Sequence, residues 1–171
     1  MLWLVLSLGL TSAVHPGLQT LQKSFKNKQS IRASFHQKIV QDLFPNSPDE
    51  ASGTMEFRRP DKLVWTYEKP RSRVIEYDGR QLKVKEDGRT EVQPVAGAVT
   101  LEQSFSFLWG EPDPKVFKIE HLSSQAFRVI PVRSDEVTFK YIDVTVAKGK
   151  VSQAKVFDKL GSTSIMTFTW P

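Results

Sequence analysis

The stretch Gly53-Thr-Met-Glu-Phe-Arg-Arg-Pro-Asp-Lys-Leu-Val-Trp-Thr-Tyr-Glu-Lys-Pro70 reads as two β-strands around a tight connection. Met55 and Phe57 alternate with Thr54, Glu56 and Arg58, and Leu63, Trp65 and Tyr67 alternate with Lys62, Thr66 and Glu68. A period of two sends successive side chains to opposite faces of a sheet, so each strand carries one apolar face. Arg59-Pro60-Asp61 joins the two strands. Downstream, Asp78-Gly79 and Asp87-Gly88 are hairpin signals, because such pairs accept the positive φ that two-residue turns demand. Leu82 and Val84 alternate with lysines between them. The pattern predicts an antiparallel meander.

The same period extends outward. Ile31 to Phe44 places Ala33, Phe35, Gln37 and Ile39 on one face, and Phe44-Pro-Asn-Ser-Pro-Asp-Glu50 is expected to break that strand into a loop. Before it, Leu18, Leu21 and Phe25 recur at helical spacing, with Pro16 suited to the first turn. In the middle, Pro94 to Ala98 is an uncharged interruption. Thr100 to Trp109 then predicts a second helix, with Thr100 as N-cap, Gln103 completing a capping box, Leu101, Phe105 and Leu108 on one face, and Gly110 as the stop. Alternation resumes through Phe117, Ile119, Phe127 and Val129, then Val137–Val146, Val151–Phe157 and Thr163–Trp170. The expected fold is mainly β with some α. It is a single curved antiparallel sheet of about eight or nine strands forming an incomplete barrel, covered by an N-terminal helix and a middle lid helix.

A chain of 171 residues suits one domain, and its 39% hydrophobic and 25% charged residues exclude a disordered composition. The apolar run through Ala13 is short for a membrane span and reads as a signal peptide cut after Ala13, so residues 14–171 are expected to be a single periplasmic domain. The net charge of +5 comes from scattered Lys and Arg rather than a basic run, so nucleic acid is not an expected partner. With no cysteine, a thiolate nucleophile, a zinc–thiolate cluster and a lipidated cysteine behind the signal are all excluded.

Chemistry-bearing motifs do not assemble. His15, His36 and His121 share no metal-ligand spacing, no Gly-x-Ser-x-Gly elbow occurs, and no glycine-rich loop follows a strand. The chain is therefore read as a non-enzyme without metal or cofactor. The sheet instead has apolar side chains to dispose of. An incompletely covered concave face would leave a cavity lined by Trp, Phe, Leu and Val. Phe35, Met55, Phe57, Leu63, Trp65, Leu82 and Val84 are its candidate lining.

Three segments resemble the LolA family of outer-membrane lipoprotein carriers. Ala33-Ser-Phe-His-Gln37 is similar to the strand that opens the family. The Gly53–Pro70 stretch, followed by Val74-Ile-Glu-Tyr-Asp-Gly-Arg-Gln-Leu82, matches its Gly, Arg-Pro, Trp, Pro and Asp-Gly-Lys-x-Leu series, with Arg80 at the lysine. Asp158-Lys-Leu-Gly-Ser-Thr-Ser-Ile-Met-Thr-Phe168 resembles the late hairpin. The resemblance implies an apolar cavity for acyl chains of lipoproteins or other lipids. It also implies a monomeric shuttle that accepts cargo from an inner-membrane release transporter and passes it to an outer-membrane receptor. An envelope lipid- or lipoprotein-binding sensor, or a carrier of another lipid on the same fold, is the alternative. Leu101, Phe105 and Leu108 would form the lid, with Pro94 to Ala98 as hinge. Arg59 would match the family's Arg-Pro arginine and latch the lid by donating to carbonyls at a helix end, whereas Arg58 points the other way.

Overall fold

The computed structural model describes residues 14–60, 62–94 and 106–171. Among them, one helix, α1 (Pro16–Phe25), precedes eleven antiparallel strands in a single sheet. The strands are β1 (Ser30–Gln41), β2 (Phe44–Arg58), β3 (Lys62–Lys69), β4 (Arg73–Tyr77), β5 (Gln81–Glu86), β6 (Arg89–Pro94), β7 (Phe117–Ser123), β8 (Ala126–Pro131), β9 (Phe139–Ala147), β10 (Lys150–Asp158) and β11 (Ser162–Thr169). The spatial order is β6-β5-β4-β3-β2-β1-β11-β10-β9-β8-β7, so two meanders meet where β1 pairs with β11, and the sheet is curved but unclosed.

Eleven strands exceed the eight or nine expected, and Phe44–Glu50 is not the expected loop. It forms the outer half of a 15-residue β2. Pro45 and Pro48 are tolerated there because this half pairs only with β1, whereas β3 begins to pair at Ser52. A proline's missing N–H costs no ladder bond on an unpaired side.

Cross-strand pairing organises the inner face into rows. Ile31, Phe57, Leu63, Tyr77, Leu82 and Gln93 form one; Ala33, Met55, Trp65, Ile75, Val84 and Glu91 the next; Phe35, Gly53, Tyr67, Arg73, Glu86 and Arg89 the third. Each row runs from buried apolar residues at β1 to exposed polar ones at β6. In the third row, Gly53 leaves room for Phe35 and Tyr67 to meet edge-on at 5.3 Å, and any Cβ there would collide with the Thr66 carbonyl. That close approach is what the glycine opening the quoted stretch supplies.

On the other side of the seam the inner face is Met166, Ala154, Val144 and Phe127, and α1 lies across it through Leu18, Leu21 and Phe25. His15 fastens the start of α1. It is buried, its Nδ1 accepts from the Gly17 N–H at 3.0 Å, and its Nε2 lies 2.8 Å from the Ser123 carbonyl. Its ring packs on His121 at 4.8 Å and on Phe127 at 5.3 Å.

Candidate functional site

Five of the seven candidate lining residues, Phe35, Met55, Phe57, Leu63 and Trp65, are buried on the inner face. Phe35 and Trp65 pack at 4.8 Å, and burial raises the Tyr67 phenol beside them above its usual pKa, partly opposed by Trp65 and Arg73. Leu82 and Val84 occupy the same rows but are only half-buried.

α1 and a 3-10 turn, Ser106–Trp109, whose side chains are all buried, form a cover that reaches these residues where Trp109 meets Phe57. The helix expected over Thr100 to Trp109 is present only as this turn among the described residues. Leu101, Phe105 and the 95–98 part of the expected hinge lie outside them. Leu108 is described and points inward, buried with Phe107 and Trp109. Trp109 stacks on Phe57 with centroids 4.0 Å apart and planes 16° from parallel.

Gly110 ends the turn with φ +81, and α1 sits directly on it. A Cβ at this position would meet the Leu18 carbonyl oxygen at 2.7 Å and Leu21 Cβ at 2.8 Å. The Gln22 side chain donates to the Gly110 carbonyl at 2.7 Å. Helix and turn therefore pack against each other, and the turn meets β2 through the Phe57–Trp109 stack.

Arg59 reaches this cover, though not as the resemblance implied. Its Nη1 lies 3.3 Å from Glu111 Oε2, so among the described residues its partner is a carboxylate just beyond the turn rather than a helix-end carbonyl. The side chains are 31% and 45% exposed, which puts the pair at about 0–1 kcal/mol. Arg58 points to the convex face, where its Nε donates to Glu56 at 2.6 Å. Arg32 donates to the same carboxylate, and the two guanidinium groups hold Glu56 below the usual carboxylate pKa.

Under the cover, the crevice between Phe25, Ile31, Phe57, Arg59 and Trp109 is too narrow for a water molecule. The open volume lies further along the rows. A groove of about 580 Å³ runs over β4 to β6, floored by Leu82 and Val84 and edged by Arg71, Arg73, Arg89 and three carboxylates. The inner face is thus occupied by the chain's own side chains near the seam and open near the β6 edge.

No group of three or more His, Asp and Glu residues that could hold a metal occurs among the described residues. The three histidines serve structure where they are engaged, with His15 capping α1 against His121. Sequence reasoning missed Trp109, Gly110 and Glu111 as partners of Phe57, α1 and Arg59. Gly110 was legible as a stop, and it does end the turn, but its contact with α1 was not.

Residues 26–170 match the sequence profile of the family described as outer membrane lipoprotein carrier protein LolA. An outer-membrane lipoprotein carrier protein of Cupriavidus necator is 26% identical over 165 residues, covering 87% of this chain and 74% of that protein. One from Pseudomonas putida is 23% identical, covering 95% and 80%. One from Nitrosospira multiformis is 37% identical over 73 residues, 42% of this chain, and the match spans only 35% of that relative's length. Among solved structures, a LolA superfamily protein from Nitrosomonas europaea aligns over 91% of both chains with a TM-score of 0.49 and 10% identity.

Proposed function

Because the chain belongs to the family of outer membrane lipoprotein carrier proteins, LolA, we propose that it binds the acyl chains of a lipoprotein on its inner face and carries them through the periplasm. The finer reading is that it takes cargo from an inner-membrane release transporter and gives it to an outer-membrane receptor. The observation that carries the proposal is the cover. Phe57, Trp65, Met55 and their neighbours are a buried aromatic and aliphatic surface, and the turn meets it through the apolar stack of Trp109 on Phe57.

Energetics favour such exchange. Burying Phe107, Leu108 and Trp109 is worth about 1.5–3 kcal/mol each, so lifting the turn costs about 5–9 kcal/mol. An acyl chain of about 16 carbons gains on the order of 10 kcal/mol on leaving water. These terms nearly balance. Cargo can displace the turn, and closure of the turn offsets most of the loss when cargo leaves, so transfer requires no nucleotide chemistry in this chain. The Arg59–Glu111 pair adds a small closing bias. Leu82 and Val84, at the open end of the rows, give the first apolar contacts, and the arginines beside them face the polar part of the cargo.

The reading is tested by native mass spectrometry of protein purified from its own cell envelope, combined with transfer of a labelled lipoprotein to acceptor membranes. Acylated species bound one to one and chased into the acceptor are expected. Protein that is consistently empty and transfers nothing refutes the proposal.

A further inference from the structure

At one end of the sheet, three turns carry almost bare apolar side chains. Leu43 in the β1–β2 turn is 85% exposed and Phe44 beside it 63%, Leu160 in the β10–β11 turn 95%, and Val132 after β8 56%. The three turns adjoin. The Asp42 N–H donates to the Gly161 carbonyl at 2.9 Å, and the Lys159 N–H to the Thr138 carbonyl at 3.2 Å. The Lys159 ammonium spans to the β8–β9 connection, donating to Val137 at 2.7 Å and to Ser134. The cover sits at the opposite end, where Phe25 meets Trp170 and the Gly149 turn meets Ser24.

We propose that this end docks on a lipid bilayer by placing Leu43, Phe44, Leu160 and Val132 at the headgroup–acyl boundary. Together they expose on the order of 500 Å² of apolar surface, below the roughly 800 Å² per partner of a stable protein interface. They also stand on separate turns. A second protein would need a preformed pocket for each, whereas a fluid bilayer admits single side chains individually. Charge does not select another partner. Asp42, Asp49, Glu50, Asp135 and Asp158 outnumber Lys38, Arg133 and Lys159 beside the tips, so no basic patch selects an anionic surface. Docking therefore depends on apolar insertion, not on anionic lipid, and it leaves the cover free to move. The inference rests on the carrier reading, which gives contact with a membrane its use.

The test exploits the absence of native cysteine in the full chain. A Leu160→Cys variant carries an environment-sensitive nitrobenzoxadiazole dye, and a Lys26→Cys variant carries the same dye at the opposite end. With neutral phosphatidylcholine vesicles, emission from position 160 is expected to rise and shift to the blue at low and high salt, while position 26 stays silent. A Leu43→Ser/Leu160→Ser variant should partition at least about tenfold more weakly, with unchanged affinity for an acyl probe in solution. Silence at position 160, an equal response at both positions, binding abolished by salt, or a Leu160-dependent dimer in sedimentation each overturns the proposal. Loss of acyl-probe binding with intact vesicle docking would instead sink the carrier reading alone.

Discussion

Replacing Gly110 by alanine forces the turn away from α1. Two costs arise at this position. A residue with a Cβ at φ +81 carries about 1 kcal/mol of left-handed strain. The new methyl would also sit 2.7 Å from the Leu18 carbonyl oxygen and 2.9 Å from the Gln22 nitrogen, both backbone atoms of α1. Relief requires the helix to lift by several tenths of an ångström, an overpacking cost of about 1–3 kcal/mol. The total is about 2–4 kcal/mol, and it falls on the closed arrangement, in which the turn sits on α1; a turn lifted away, as the proposed exchange requires, is free of it. Acyl-probe affinity should therefore rise by at least about tenfold, since each 1.4 kcal/mol removed from the competing closed state is worth a factor of ten. Gly88→Ala is the internal control. Gly88 also has positive φ, +73, but a Cβ there meets nothing within 4 Å, so it carries strain without displacement. Probe titration followed by fluorescence, with far-ultraviolet circular dichroism to check the sheet, reads both variants. Equal effects on affinity, or a Gly110→Ala protein that is destabilised but binds unchanged, would refute the idea of a separable cover.

Other outcomes follow from the same geometry. Arg59→Leu and Glu111→Gln should each change probe affinity less than about fivefold, and the double variant should do no more than either single; additive effects would show that the two groups do not act together. In lipoprotein transfer, Arg59→Leu should slow release while Arg58→Leu, whose partner is the convex Glu56, should not. His15→Ala removes the cap of α1 and should lower unfolding stability by about 1–2 kcal/mol in urea titration, with Lys23→Ala on the exposed side of the helix as the neutral comparison. Glu56 is held low by Arg32 and Arg58, Asp78 by the N–H groups of Gln81 and Arg80, and Asp158 by the Ser162 hydroxyl and N–H. Folded-state values below the unfolded ones mean stability that is present above about pH 4 and lost as pH falls through the depressed values. Glu56→Gln combined with Asp158→Asn should flatten that acid limb of a stability–pH curve.

How much was legible depended on the period of the signal. Alternation marks a face directly, so Met55, Phe57, Leu63 and Trp65 could be assigned to one side from the sequence and lie together there. The outer half of β2 was missed because Pro45 and Pro48 look like breakers, and their tolerance depends on which neighbour strand is absent, a property of topology. Over Thr100 to Trp109 the described part, Ser106–Trp109, is a 3-10 turn, and the spacing of Leu101, Phe105 and Leu108 alone does not say where a helix tightens. His15 carried no visible signal, since its partners Ser123, His121 and Phe127 are more than a hundred residues away. The partner of Arg59 was a similar case. Its reach towards the cover followed from the resemblance, but the choice of Glu111 over a carbonyl is a matter of local geometry.

The pairing of β1 with β11 has a consequence for biogenesis. Each meander can zip up from local hairpins, but the seam joins residues 34–41 to 162–169, so it cannot form until nearly all of the chain between them is available. Until then β1 offers a bare ladder edge, and the apolar rows on both sides lack their cover. Closing so long a loop is slow, and an unpaired edge invites pairing with another chain. A chain delivered end-first across a membrane would spend that interval unprotected, so its folding yield should depend on holdase chaperones that mask β1. Weakening the Gln37–Ser164 side-chain bond across the seam would lengthen the interval and favour aggregation, even where final stability hardly changes.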